Sequence, residues 1–283
     1  MLQKIKKICI CGAGTMGSGI AQVAAQSGFA TILFDVNAEM IEKGKANVSK
    51  ALQVLADKAK ITDEQKTNIF SRINFTTKIN DCIADIIIEA IVESKEAKIN
   101  LFNQLAKINN NETIFATNTS SISVSSIAKE IKNASNVIGM HFFNPAPIMK
   151  LVEIIRGNQT NEMVVQQIYE LAKQFNKTPV ICKDSPGFIV NRVARLYYLE
   201  AMKLIELNLT DAETIDKIME ASGFKMGPFK LMDLIGLDVN FAVSNIVWQE
   251  LDRPERLTPS TIQQQKVEAG ELGRKSGKGF YKY

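Results

Sequence analysis

The chain has 283 residues, 46% of them hydrophobic and 23% charged, with a formal net charge of +4. That length and balance fit a soluble globular protein with one large domain or two moderate ones. The mild charge leaves no footprint for nucleic acid, and no apolar run approaches the roughly 20 residues of a membrane helix.

The start, "MLQKIKKICICGAG", places basic residues before an apolar stretch. "ICIC" is too short for a secretory core and runs directly into glycines, which argues against export. The four cysteines, Cys9, Cys11, Cys82 and Cys182, show no paired CxxC spacing for zinc. They read as small core residues of a reduced, cytoplasmic protein.

In chain order, "KICICGAG" is predicted as a first strand and "TMGSGIAQVAAQSG" as a helix closed by Gly28. "ATILFDV" is a second strand. A lysine-rich helical stretch from about Ala38 to Lys60 follows, then another through "TDEQKTNIFSRI". "DIIIEAIVE" reads as a buried strand, "SKEAKINLFNQLAKI" as a helix and "TIFATNTS" as a strand. "NVIGMHFF" and "KLVEIIRG" are strands on either side of an NPAP turn. Strands alternating with helices indicate βαβ units on a parallel sheet. From about Asn191 to Lys217 the periodicity is helical, and later segments continue mostly helical. Ser185-Pro186-Gly187 is therefore the expected boundary between an α/β domain over 1–184 and an all-helical domain over 185–283.

"GAGTMG" spaces Gly12, Gly14 and Gly17 as GxGxxG between a strand and a helix. The first glycine permits a tight turn, the second lets backbone approach a pyrophosphate, and the third lets helix and strand pack closely. The phosphates would sit at the positive helix N-terminus, against the turn of Gly12, Ala13, Gly14, Thr15, Met16 and Gly17. Asp35 ends the second strand. An acid there accepts hydrogen bonds from an adenosine ribose and repels a 2′-phosphate, which favours NAD over NADP.

His141 is the only histidine. Histidine titrates nearest neutral pH, at roughly 6.5 in model peptides, and is the natural proton shuttle. Glu153 lies twelve residues further on. Antiparallel strands around the NPAP turn would bring both side chains to one side, where the carboxylate would orient the imidazole. The other reading of Glu153 is an exposed acid on an edge strand. Asn118 and Ser120 sit at the carboxyl end of a predicted strand, where open sheets bind ligands, or they are ordinary turn and capping residues. Asn191 either faces the cleft or bonds backbone. The run Lys43, Lys45, Lys50, Lys58 and Lys60 either meets a phosphorylated substrate or is a solvated helix face. "GRKSGKGFYKY" reads as an ordered closing segment.

Taken together, "GAGTMGSGIAQ", "IIEAIVE", "TNTSS", "GMHFFNPAP", "DSPGFIVNR", "PFKLMDLIGLD" and "GRKSGKGFY" resemble the 3-hydroxyacyl-CoA dehydrogenase family, and its bacterial 3-hydroxybutyryl-CoA members in particular. The resemblance spans essentially the whole chain. It implies a Rossmann-like NAD-binding domain and a helical domain for substrate binding and homodimer formation. It implies reversible oxidation of 3-hydroxybutyryl-CoA to acetoacetyl-CoA, with NADP use known among members. By position, His141 matches the family's catalytic histidine, Glu153 its carboxylate partner, and Ser120 and Asn191 the polar residues around the reacting oxygen. Asp35, Glu93, Lys98, Ser120, Asn144 and Lys275 match dinucleotide contacts, with Lys98 shared with CoA. Lys58 matches a CoA-contacting lysine, whereas position 51, where the family pattern has serine, is Ala51; Lys50 is the alternative anchor. Two other readings stand beside this one: a sugar-acid dehydrogenase of the L-gulonate type, and a dinucleotide-binding protein without activity.

Overall fold

The computed structural model describes residues 5–283; residues 1–4, where the basic N-terminal stretch begins, lie outside the described residues. The chain divides into two compact units at the Asp184–Ser185 bond.

The first unit is built on one eight-stranded sheet in the order β3-β2-β1-β4-β5-β6-β7-β8. Its strands are β1 (Lys7–Cys11), β2 (Ala30–Phe34), β3 (Ile73–Thr76), β4 (Ile86–Glu89), β5 (Ile114–Thr117), β6 (Val137–Phe142), β7 (Leu151–Arg156) and β8 (Thr178–Lys183). The first six run parallel, the Rossmann order of a doubly wound sheet. β7 turns back antiparallel to β6, and β8 pairs parallel to β7 at the edge. "ICIC" is buried throughout because β1 is central, covered on both faces.

Six helices connect these strands: α1 (Thr15–Gln26), α2 (Ala38–Asp57), α3 (Asp63–Ser71), α4 (Lys95–Leu105), α5 (Val124–Ala128) and α6 (Glu162–Gln174). Local chemistry sets their starts. The Asn37 side chain accepts from Glu39 N to open α2, and Thr62 and Gln65 form a reciprocal capping box on α3. The strand order reverses between β1 and β4. The carboxyl ends of these two strands therefore frame a crevice, the place where open sheets bind ligands.

The second unit is helical: α7 (Val190–Glu206), α8 (Ala212–Ala221), α9 (Pro228–Ile235), α10 (Leu237–Glu250) and α11 (Thr261–Glu268). The helical stretch expected from Asn191 to Lys217 is two helices. Asn208 takes a positive φ of 57°, and Asp211 caps α8 by accepting from Thr214 N. The closing segment is ordered. Asp233 accepts from Phe280 N and Tyr281 N at 2.9 Å each, and Phe280 packs edge-on against Phe229.

The cysteines are all free thiols. Cys9, Cys11 and Cys82 are buried, but Cys182, expected in a core, lies partly exposed on edge strand β8. No single helix among the described residues is long and apolar enough to cross a membrane.

Candidate functional site

β6 and β7 place His141 directly opposite Glu153 in the antiparallel register. The pair is 4% and 1% exposed, which removes the reading of Glu153 as an exposed edge acid. Nδ1 of His141 lies 2.8 Å from Glu153 Oε2. With the carboxylate ionised, Nδ1 carries the proton and donates it, so Nε2 presents its lone pair. Ser120 Oγ is 3.2 Å from that Nε2, and the Phe143 ring packs against the imidazole at 4.6 Å. An imidazole held on one nitrogen by a carboxylate and facing a hydroxyl at the other can take a proton from an alcohol and return it.

Ser120 is brought there by the turn after β5. Glu93 Oε1 accepts from Thr119 Oγ1, Ser120 N, and Ser121 N and Oγ. Burial raises the Glu93 carboxyl, but the Lys98 charge, followed by hydrogen bonds from Thr119, Lys98 and Ser120 N, holds it below the ordinary range. Lys98 itself is only 1% exposed. Its amine sits 2.6 Å from Glu89 Oε1 and 3.1 Å from Glu93 Oε2, so it faces two carboxylates rather than the surface. Asn118 spends its Oδ1 on Phe142 N, tying β5 to β6.

The glycine turn leaves β1 at the crevice. Gly12 has φ 101°, and a side chain there would press within 2.5 Å of the Ala90 carbonyl oxygen; at Gly17 an added Cβ would lie 1.7 Å from the Gly12 carbonyl oxygen. Gly14, by contrast, has nothing nearer than Met40 Cε at 4.0 Å. Ala13 N donates to Asp35 Oδ2 at 2.8 Å, and Asn37 N donates to Asp35 Oδ1 at 3.0 Å. Beside them opens a cavity of about 780 Å³, lined by Gly12, Gly14, Asp35, Met40, Ala90 and Leu101 among others. That volume lies within the range of small-molecule and cofactor sites. An open glycine at a helix start, a carboxylate at the end of β2 and this cavity fit a dinucleotide's pyrophosphate and ribose. Thr15 and Met16 form the first turn of α1 beside Gly14.

The remaining candidates are spread out. Asn144 is exposed just after β6, while Lys50, on α2, and Lys58, its C-terminal cap, are both exposed. Asn191 lies in the first turn of α7 and Lys275 in the closing segment, both in the second unit; Lys275 Nζ is 2.6 Å from Asp238 Oδ2. Among the described residues no group of His, Cys, Asp and Glu is placed to hold a metal ion.

Two groups that support the site are absent from the sequence reading. Glu89, inside a strand otherwise read as apolar, is fully buried; its signal is an acid in the middle of "IIIEAIVE". Lys177 donates from Nζ to the carbonyl oxygens of Ala146 and Met149, pinning the NPAP turn. Burial and then the Lys150 charge push the Lys177 amine down.

Residues 7–185 match the family model for the 3-hydroxyacyl-CoA dehydrogenase NAD binding domain, and residues 187–283 that for the 3-hydroxyacyl-CoA dehydrogenase C-terminal domain. The chain is 45% identical, over a 287-residue alignment, to the 3-hydroxyadipyl-CoA dehydrogenase of Escherichia coli, covering 99% of this chain and 60% of that protein. It is 43% identical over 279 residues to the probable 3-hydroxybutyryl-CoA dehydrogenase of Deinococcus radiodurans, covering 98% of this chain and all of that one. The crystal structure of (S)-3-hydroxybutyryl-CoA dehydrogenase from Ralstonia eutropha superposes with a TM-score of 0.95 at 39% identity, covering 99% of each chain. Matched in both halves and along its length, the chain belongs to the 3-hydroxyacyl-CoA dehydrogenase family, a family of oxidoreductases.

Proposed function

We infer that this protein interconverts (S)-3-hydroxybutyryl-CoA and acetoacetyl-CoA by hydride transfer, with NAD preferred over NADP. The observation that carries this reading is the buried His141–Glu153 pair with Ser120 Oγ 3.2 Å from the other ring nitrogen, Nε2. A nicotinamide dinucleotide held by the glycine turn and Asp35 would supply the hydride acceptor in oxidation and the hydride donor in reduction.

The chain's own residues do the rest. In oxidation, Nε2 of His141 removes the proton of the 3-hydroxyl; in reduction, the same atom returns it to the forming alkoxide. Glu153 accepts from Nδ1 throughout, which fixes the tautomer and steadies the imidazolium that forms. Ser120 supports the substrate oxygen by hydrogen bonding where charge develops, a role the resemblance extends to Asn191. Gly12, Ala13, Gly14, Thr15, Met16 and Gly17 receive the pyrophosphate. Asp35 keeps acceptor capacity for a ribose hydroxyl beyond its two backbone bonds, which supports NAD. Glu93, Asn144 and Lys275 complete the dinucleotide contacts, and Lys50 and Lys58 anchor CoA phosphate from the exposed face of α2. Exposed apolar side chains on α7, α9 and α10, among them Val193, Leu196, Leu234 and Val239, support a homodimer through the second unit.

The test is the initial rate of acetoacetyl-CoA reduction, followed at the nicotinamide absorbance with NADH and NADPH side by side. Faster turnover with NADH is expected. Faster turnover with NADPH would overturn the cofactor preference, and no turnover in protein that binds NADH would overturn the CoA-ester reading.

A further inference from the structure

Behind Ser120 runs a chain of charge that begins at Glu89. This acid ends β4 and is 0% exposed. Its Oε1 accepts from Lys98 Nζ at 2.6 Å and from Ile91 N at 2.8 Å, while Oε2 accepts from Thr117 Oγ1 at 2.7 Å. It therefore holds the loop after β4, the end of β5 and the buried amine of α4 at one point. Lys98 reaches from there to Glu93, 3.1 Å away. Glu93 in turn gathers the Thr119–Ser121 backbone and hydroxyls onto a single oxygen.

A buried ion pair is a weak source of stability, because desolvating both charges offsets their attraction and apolar replacements are often as stable. This one is not isolated. Its cation has a second arm on Oε2 of Glu93, a carboxylate whose side chain is 40% exposed and whose Oε1 gathers the β5 turn. The arrangement costs burial and returns geometry. It holds the β5 turn that carries Ser120 to 3.2 Å from His141.

We propose that Glu89 is a positioning residue for proton transfer. By fixing Lys98 it immobilises Glu93, and through Glu93 it holds Ser120 against His141. The lowered Glu93 carboxyl agrees, since Lys98 is the largest influence favouring its ionised form. The inference rests on reading His141 as the proton-transfer group.

His141 is the only histidine in the chain, so its ring gives one unambiguous imidazole resonance in the ligand-free protein. The primary variant is the double change Glu89→Gln with Lys98→Met, which removes both buried charges together. Glu93→Gln is the second variant, at a side chain exposed enough to tolerate change. Ser120→Ala and His141→Gln are controls. In the double variant we expect an unchanged Tm and, at saturating NADH, kcat lowered about tenfold or more, since displacements near 1 Å can cost up to about a hundredfold. Its imidazole resonance should move in the same direction as in Ser120→Ala, and Glu93→Gln should move it likewise. The inference is overturned if Glu93→Gln leaves both the resonance and kcat at wild-type values, whether or not the double variant folds. It is also overturned if the double variant loses only NADH affinity, which would make Lys98 a cofactor contact alone. Full activity in His141→Gln would instead overturn the reading of the proton-transfer group itself.

Discussion

Alanine at Gly14 and at Gly17, made separately, should divide cofactor binding from folding within one turn. At Gly17 the new Cβ would lie 1.7 Å from the Gly12 carbonyl oxygen and 3.4 Å from Ile10 Cγ2. Carbon–oxygen contacts sit at roughly 3.3 Å or beyond, so helix and turn would have to part by about 1.5 Å. Overpacking costs about 1–3 kcal/mol, and an obstacle made of backbone places Gly17→Ala at about 3 kcal/mol or above. For a domain of this size that corresponds to a fall of about 6–12 °C in Tm. Gly14 has φ −67°, where any L-residue fits, and its added Cβ meets only Met40 Cε at 4.0 Å. Gly14→Ala should therefore melt within about 2 °C of wild type. Its methyl stands where a pyrophosphate would approach, so the Kd for NADH should rise about tenfold or more. Thermal melts and NADH fluorescence titrations read both effects. Wild-type NADH affinity in Gly14→Ala would refute the placement of the pyrophosphate, and a wild-type Tm in Gly17→Ala would refute the packing of the turn.

Three further outcomes follow from the same geometry. Glu153→Gln exchanges a charge-assisted hydrogen bond for a neutral one, a loss of about 1–1.5 kcal/mol to the imidazolium. This should lower kcat about tenfold with NADH affinity unchanged; an unaltered kcat would show that Glu153 does not support the ring. Asp35→Ala should weaken NADH more than NADPH in parallel titrations, and equal effects on both would show that Asp35 does not read the ribose. Glu93 titrates below the ordinary carboxylate range, so its contribution to stability is fully present above roughly pH 4.3 and is lost as pH falls through the lowered folded value. The Tm difference between wild type and Glu93→Gln should hold from pH 7 to pH 5 and shrink below about pH 4. A difference that stays constant to pH 3 would contradict the assignment.

Much of this architecture was legible in the chain itself. Strand, glycine turn, helix, strand and terminal acid follow one another within residues 7–35, and each part is a local signal. The pairing of His141 with Glu153 was legible only in part: two apolar runs around a proline-rich turn suggest antiparallel strands, but residues 143–150 lie between them and leave the register, and so the burial of Glu153, to the fold. What escaped is of two kinds. β3 has four residues and follows α3 with no turn chemistry between them; β8 carries Pro179, which reads as a breaker yet is tolerated on an edge strand. α6 does carry a helical spacing in Val164, Ile168 and Leu171, but no helix was predicted there. The second kind is chemical. Glu89 looks like a misplaced acid, and Lys98 only like a ligand contact implied by the resemblance, until the fold closes them on each other. Their meaning lies in a contact between β4 and α4 that no periodicity encodes. Lys177 is invisible for the same reason, since its acceptors are backbone carbonyls of the NPAP turn.

The central claim is that His141 moves the proton that accompanies hydride transfer. The most direct measurement is a single-turnover reduction of acetoacetyl-CoA by protein preloaded with NADH, comparing wild type with His141→Gln and recording NADH affinity for both. The account predicts equal NADH affinity, an unchanged fold by circular dichroism and a rate lower by roughly 10²–10⁴ in the variant. A His141→Gln protein that turns over at the wild-type rate would contradict it.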